Sequence, residues 1–373
     1  MNFEFSDEQE ELRRQARRLL ADGLAKARGA LDHGASHDAA LWRQIVDMGW
    51  PAAAIPEQQG GLGLGPLELC VLAEETGRTL APVPFATSVL HATEALKLCP
   101  ADPLAGATLG RLAEGGAIAT VAFAEEGGGR WDAIPAARVE AGRLTGVKTA
   151  VAEGSYAGFA VVSARAADDE DGYGWWLVDL DAPGVTRTGV EAIDCVRRHA
   201  TLAFDRVPAA RLGGAGEGAG LVRDLLDRAA VYDAFEQLGG AEAALAMTID
   251  YVKTRQAFGR PVAGYQAVKH KLADLYVKVQ LARSHAYYGA WALLNDVPEL
   301  PVCAAGARLA ATDAFTAAAE ESVQLHGGIG FTWESDCQLY YRRARLLAAA
   351  LGSRAVWSRR LAHALVAHGV GVA

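Results

Sequence analysis

The amino-acid sequence predicts an α+β fold in three consecutive segments: an N-terminal helical domain over residues 1–116, a middle antiparallel β sandwich or barrel over 117–212, and a C-terminal helical bundle over 213–373. Three observations carry that prediction. A length of 373 residues exceeds what one small core organises and implies two or three domains. Apolar residues recur at helical spacing near both ends of the chain. Between those regions lie short β-favouring runs, set off by Gly, Asp and Pro at intervals of roughly ten residues.

In the first segment Ser6 and Gln9 have the spacing of a capping box, and Leu12, Ala16, Leu19 and Leu20 then form one helical stripe. A second helix carries Leu41, Ile45 and Met48 and stops at Gly49-Trp50-Pro51. The glycines between Pro56 and Gly65 suit a turn-rich loop, and helix resumes at Pro66, a good first-turn residue, through Glu74, Glu75 and Gly77. The β-favouring runs are Ile118 to Phe123, Val147 to Val151, Phe159 to Ser163, Trp175 to Leu180 and Thr201 to Phe204. The acidic tract from Asp168 to Asp171 reads as a solvated loop, and Gly213 to Gly220 as a glycine-rich hinge. Long helices follow from about Leu221 through Lys253, from about Tyr265 to Asn295, and from near Pro301 to His326, where Gly327-Gly328 ends the run.

Composition narrows the function classes. Hydrophobic residues at 51% and charged residues at 22% fit a soluble globular chain and exclude disorder. No apolar run approaches the roughly 18–20 residues of a membrane span. The opening MNFEFSDEQEELRRQARR has no apolar stretch of the secretory kind, so the expected location is the cytoplasm. A net charge of −9 without long basic clusters argues against a nucleic-acid partner. Cys70, Cys99, Cys195, Cys303 and Cys337 are widely spaced with no CxxC pair, so they read as reduced, mostly buried thiols with neither disulfides nor a metal site.

Two longer stretches are more specific. Tyr251-Val-Lys-Thr-Arg-Gln-Ala-Phe-Gly-Arg-Pro-Val-Ala-Gly-Tyr-Gln266 and Gln324-Leu-His-Gly-Gly-Ile-Gly-Phe-Thr-Trp-Glu334 resemble the acyl-CoA dehydrogenase family, and the segment order and the Pro56–Gly65 loop match as well. The resemblance covers nearly the whole chain. It implies a C-terminal four-helix bundle, FAD as cofactor, an acyl-CoA substrate, a dimer or tetramer, and electron-transferring flavoprotein as acceptor. Residue by residue, Arg255, Phe258 and Gln266 match the family positions that hold the pyrophosphate and adenosine half of a flavin seated in the neighbouring subunit. Gln324, Gly327 and Gly328 match a second cofactor contact, and Ser353 a further one. A guanidinium fork suits pyrophosphate oxygens, and glycine lets a backbone approach phosphate closely. His326, in the turn beside them, reads as a packing or capping residue.

The family reaction is α,β-dehydrogenation of an acyl-CoA thioester, in which a glutamate takes the α-proton and the β-hydride passes to flavin N5. In most members that glutamate precedes Gly-Thr or Gly-Ser, shortly after an Arg-Asp-Ala-Lys-like run. Here the run is Arg342-Arg-Ala-Arg345 and the residue before Gly352-Ser353 is Leu351. A minority carry the glutamate early in the first long C-terminal helix, where this chain has Ala229. Neither residue accepts a proton. Asp233 and Glu236, further along one face of that helix, are the remaining candidate bases. The β segment departs too. Members usually show Thr-Glu-Pro…Gly-Ser and later Trp-Ile-Thr around the isoalloxazine, where this chain has Ala124-Glu125-Glu126-Gly127-Gly128-Gly129 and Ala150-Val151-Ala152.

Three readings follow. The chain is a homomeric FAD-dependent acyl-CoA dehydrogenase with a displaced base; or a non-catalytic subunit that completes the FAD site of a heteromeric dehydrogenase acting on fatty or steroid side-chain substrates; or the same fold carrying another flavin reaction, an oxidase or monooxygenase.

Overall fold

Ser6 closes its capping box with Gln9: the Gln9 N–H donates to Ser6 Oγ at 3.2 Å and the Ser6 N–H to Gln9 Oε1 at 2.9 Å. That start sets α1 (Asp7–Leu19), followed by α2 (Gly23–His33), α3 (Ala39–Asp47), α4 (Pro66–Thr79), α5 (Thr93–Lys97) and α6 (Pro103–Ala113). The strands are β1 (Ala119–Ala122), β2 (Arg138–Glu140), β3 (Arg143–Ala152), β4 (Phe159–Ala166), β5 (Gly174–Asp179), β6 (Val185–Val190) and β7 (His199–Leu212). After α7 (Gly218–Thr254) comes a short hairpin of β8 (Gln256–Ala257) and β9 (Arg260–Pro261), then α8 (Gln266–Leu294), α9 (Leu300–His326), α10 (Cys337–Ala350) and α11 (Arg354–Ala367). The structure is a computed structural model that describes residues 5–34, 36–126, 131–166, 173–367 and 369. The acidic tract Asp168 to Asp171 and Gly127 to Gly129 lie outside the described residues.

The chain forms two compact units: Met1–Asp32 with Pro66–Ala81 and Ala230–Ala373, and His33–Gly65 with Pro82–Ala229. In the first, α4 and α7 cross at near backbone contact. A Cβ on Gly239 would lie 1.9 Å from the Glu74 carbonyl oxygen, and one on Gly77 would lie 2.0 Å from that of Glu236. Beside the crossing, fully buried Glu74 accepts from Arg13 at 2.8 Å and Arg283 at 2.9 Å, while buried Glu75 accepts from Arg13 at 3.1 Å and Arg17 at 3.0 Å. Burial alone would push the Glu74 carboxyl up, but Arg283 and Arg13 hold it below its ordinary value. The bundle of α7, α8, α9 and α10 packs through small residues, with the Phe315 ring set against Gly240.

In the second unit, β4, β2, β3, β7 and β5 pair in that order and the β4–β5 pairing closes the ring, with β1 on β4 and β6 on β7. The expected barrel is present, and two of its pairings, β1–β4 and β2–β4, run parallel. Its interior is filled by Val139, Leu144, Val162, Trp176, Val178, Leu202, Phe204 and Val207. Each expected β run lies on a strand, whereas β2 and β6 carry no sequence signal. The first has three residues with one buried, and the second leaves almost every side chain in or near solvent. All five cysteines are free, and four of them are buried. No described helix is long and apolar enough to cross a membrane.

Gly239→Ala should lower the unfolding free energy by about 1–3 kcal/mol through overpacking of the α4–α7 crossing. Urea denaturation checks it, and an unchanged midpoint would mean that the crossing has slack.

Candidate functional site

The end of α7 and the end of α9 meet in the first unit. The Tyr251 ring stacks on His326 with centroids 4.2 Å apart, and its hydroxyl donates to the His326 carbonyl at 3.3 Å. One turn beyond Tyr251 stands Arg255, whose N–H donates to the Tyr251 carbonyl at 2.8 Å. The β8–β9 hairpin then turns at Phe258-Gly259, with Phe258 at φ 50° and 98% exposed. Tyr265 fixes the hairpin: its hydroxyl donates to the Ala257 carbonyl at 2.9 Å, and the Arg260 guanidinium lies 3.8 Å over its ring. Gln266, exposed, begins α8. On the other side of the stack, Gln324 is exposed on the last turn of α9, and Gly327 takes φ 64°, a conformation that favours glycine.

Several features of this surface have no internal explanation. Arg255 is exposed and forms no ion pair among the described residues. A Cβ on Gly327 or Gly328 would meet nothing within 4 Å, whereas one on Gly330 would meet the Val323 carbonyl at 2.5 Å. Phe258, Ile329 and Phe331 expose apolar faces around them. An open guanidinium, glycine backbone without side chains above it and exposed aromatic rings fit a phosphate-bearing aromatic molecule such as FAD. Ser353 precedes α11, where its carbonyl accepts from Val356 at 2.9 Å; no hydrogen bond among the described residues joins it to Arg255 or Gly327.

Three of the candidate base positions sit deeper in the same unit. Leu351 is buried and caps α10, its carbonyl accepting from Trp357 Nε1 at 3.1 Å. Asp233 and Glu236 are both buried, and each faces a buried arginine from a different helix: Arg308 of α9 at 3.8 Å from Asp233 Oδ2, and Arg343 of α10 at 3.1 Å from Glu236 Oε1. Ala229, the fourth position, is the last residue of the second unit and is fully buried on α7. Arg308 also donates to Gln237 Oε1 at 3.0 Å and to the Leu347 carbonyl. Burial holds its guanidinium below the ordinary range, with Asp233 and Glu236 opposing that shift. The sequence reading did not single out these two arginines. Arg308 stands in an alanine-rich helical stretch, Ala304 to Ala311, where an isolated charge is itself a sign of a buried counter-ion.

Residues 6–116 match the family described as "Acyl-CoA dehydrogenase, N-terminal domain" and residues 216–366 that described as "Acyl-CoA dehydrogenase, C-terminal domain". Acyl-CoA dehydrogenase IpdE2 of Mycolicibacterium smegmatis is 33% identical over 361 residues, covering 95% of this chain and 98% of the relative. The chain belongs to the acyl-CoA dehydrogenase family. Among solved structures, a variant of the Tcur3481-Tcur3483 steroid ACAD is 31% identical with a TM-score of 0.88, over 98% of this chain and 99% of that one. The ChsE4-ChsE5 complex from Mycobacterium tuberculosis is 28% identical with a TM-score of 0.87, again over 98% and 99%.

In the second unit Ala124, at the described start of the first segment that departs from the usual family pattern, pairs with the strand that carries the second, Ala150-Val151-Ala152. The Thr149 N–H donates to the Ala124 carbonyl at 2.9 Å, and Thr120 Oγ1 to that of Ala152 at 2.7 Å. A buried ion pair underlies them. Lys148 Nζ lies 2.7 Å from Glu125 Oε1 and 3.1 Å from Ser163 Oγ, while Glu125 also accepts from the amides of Ala136 at 2.6 Å and Ala137 at 3.0 Å. The alanines thus leave backbone as the polar surface there, held by charges beneath it.

Burial lowers the Lys148 ammonium from its ordinary 10.5 to about 8, against the pull of Glu125. Below about pH 8 the folded and unfolded chains both carry that proton, and the cost of burying it is fully present. Between about pH 8 and 10.5 the folded chain releases it first, so this group adds stability as pH rises. Unfolding free energies of the parent and Lys148→Met should therefore diverge in the parent's favour through that window; a pH-independent difference would refute the shift.

Proposed function

We propose that this chain is a FAD-binding subunit of an acyl-CoA dehydrogenase that removes the α-proton and β-hydride of an acyl-CoA thioester, and that it completes the cofactor site of a homologous partner which supplies the base. One observation carries the reading. Both positions where the family glutamate stands hold apolar residues, Leu351 and Ala229, and the nearest carboxylates, Asp233 and Glu236, face buried guanidiniums. Removing either carboxylate strands a buried charge, a structural duty that competes with taking up a proton.

The cofactor-facing residues support the same reading. Arg255 presents a fork suited to pyrophosphate, Gly327 and Gly328 present bare backbone, Phe258 an apolar face, and Gln266 and Gln324 side-chain amides. When bound, the flavin accepts the hydride leaving the β-carbon. Tyr276, Val277 and Leu281 leave an exposed apolar strip on α8, suited to burial in a dimer or tetramer. The Tcur3481-Tcur3483 and ChsE4-ChsE5 relatives both carry paired names and the first is a steroid enzyme, which supports a heteromer and a bulky, ring-bearing acyl group. Electron-transferring flavoprotein is the acceptor this reading implies.

A homomeric enzyme is the second reading, favoured by Asp233 and Glu236 standing buried three residues apart on α7. The two separate in one assay of the purified chain with acyl-CoA thioesters and an artificial electron acceptor. Turnover that disappears in a folded Asp233→Asn or Glu236→Gln variant overturns the silent-subunit reading; no turnover alone, and turnover on adding a homologous subunit, supports it. Arg255→Ala should weaken FAD retention by about 1.5–3 kcal/mol, the worth of charge-assisted contacts. Equilibrium dialysis reads it, and retention equal to the parent's would remove Arg255 from the cofactor site.

A further inference from the structure

Trp333 lies just past the cofactor-facing turn, half exposed, and its indole, carbonyl and ring each meet a side chain from α2 or α10. The indole N–H donates to Asp32 Oδ1 at 3.0 Å. The carbonyl accepts from Gln338 Nε2 at 2.6 Å and from Arg28 Nη1. Arg28 Nη2 donates in turn to Asp336 Oδ1 at 2.6 Å, and the Arg342 guanidinium lies 5.5 Å from the ring centroid. Arg28 and Asp32 stand one turn apart on α2, so a single helix face grips the loop twice. A carboxylate in the last turn of a helix works against the helix dipole, so α2 by itself gives no reason for Asp32. The Trp333 indole gives one.

We propose that Arg28 and Asp32 are positioning residues that latch Trp333 to α2 and so hold the Gly327–Phe331 turn in the conformation that receives the flavin cofactor. The inference rests on the assignment of that turn to FAD, and it adds two residues that neither cofactor-like stretch of the sequence contains. The turn is anchored at both ends. It leaves α9 at His326, whose ring stacks on Tyr251 and whose carbonyl accepts from the Tyr251 hydroxyl. It closes where the Thr332 N–H donates to the Ile329 carbonyl at 3.0 Å, directly before Trp333. Between the anchors runs a short 3₁₀ segment, Gly327–Phe331, whose hydrogen bonds are poorer than those of an α-helix, while Ile329 and Phe331 face outward. Such a segment keeps one conformation when its two ends are held. The latching groups differ in what they need. The planar fork of Arg28 serves the Trp333 carbonyl and Asp336 together, which suits a guanidinium better than an ammonium. Asp32 faces a neutral indole, so its oxygen matters more than its charge.

Three measurements on the full-length protein test this. The first is amide hydrogen exchange at Ile329 to Ser335, which should quicken in Asp32→Ala and Arg28→Ala while the hairpin at 256–261 stays as protected as in the parent. Equal protection of the turn overturns the latch. The second is FAD affinity by equilibrium dialysis. It should fall roughly threefold to tenfold in Asp32→Ala, the equivalent of one hydrogen bond of ordinary net strength. Asp32 is exposed, so the urea midpoint should not move, and Asp32→Asn, whose amide oxygen still accepts, should keep the parent's affinity. A midpoint that falls in step with the affinity marks Asp32 as structural and overturns the positioning role. The third is a double-mutant cycle with Trp333→Phe, which keeps a ring and loses the N–H. Asp32→Ala should cost no further affinity in that background, and a loss that repeats there in full overturns the pairing. Arg255→Ala separates the two claims. Affinity that falls in Arg255→Ala but not in Asp32→Ala overturns the positioning role alone. Affinity unchanged in both overturns the cofactor reading of the turn, and the exchange result still decides the latch.

Discussion

The larger helical unit depends on one crossing, where the backbones of α4 and α7 touch at Gly77 and Gly239. Glu74 serves it twice. Its carbonyl oxygen occupies the space that a Cβ on Gly239 would need, and its carboxylate is shared between Arg13 of α1 and Arg283 of α8. Arg78 extends the cluster to Glu75 at 3.1 Å and to Glu242 at 2.7 Å, and its own carbonyl accepts from Tyr340 of α10 at 2.8 Å. Charges buried this deeply stabilise only as a complete set, because each one removed leaves its partner without compensation. The glycines make the set possible, since any side chain at the crossing would part the two helices and open the cluster to water.

The same economy of charge shapes the inner face of the bundle. Arg308 and Arg343 are almost wholly buried, and Asp233 and Glu236 lie on α7 within reach of them. A carboxylate that serves as a counter-ion is held by what it neutralises; a catalytic base needs an open side toward the proton it takes. Leu351 is buried and apolar, and it has no group that takes up a proton. In this chain the polar chemistry is concentrated instead at the ends of α7 and α9, where Arg255 and the bare glycine backbone face outward.

Much of this was legible in the sequence, for identifiable reasons. Ser6 with Gln9, and Gly49-Trp50-Pro51, are local signals whose hydrogen bonds and dihedrals close within a few residues, so α1 and the end of α3 follow from them. The strands with buried side chains announced themselves through Val, Trp and Phe; β6 did not, because a strand paired only on β7 with exposed side chains has no apolar alternation to show. The residue motifs marked the proposed cofactor surface because its identity lies in contiguous stretches around Arg255 and Gly327. The counter-ions were not legible. Arg308 and Asp233 are far apart in the chain, and nothing local to either marks the other; only the packing of α9 on α7 joins them.

Two glycine pairs show how far residue identity falls short of its physical cause. Gly239-Gly240 and Gly327-Gly328 are the same dipeptide, and each sits on or beside a long helix. At the first, added Cβ atoms would strike the Glu74 carbonyl at 1.9 Å and the Phe315 ring at 2.5 Å, so the chain's own packing accounts for both glycines. At the second, added Cβ atoms would meet nothing. The left-handed φ of 64° accounts for Gly327, but Gly328 has neither that conformation nor a neighbour to explain it. A position kept free of a side chain that the chain itself would tolerate makes sense when something from outside the chain approaches the backbone there. That open backbone follows His326 at the end of α9, where Tyr251 of α7 stacks, and Arg255, one turn beyond Tyr251, forms no ion pair among the described residues.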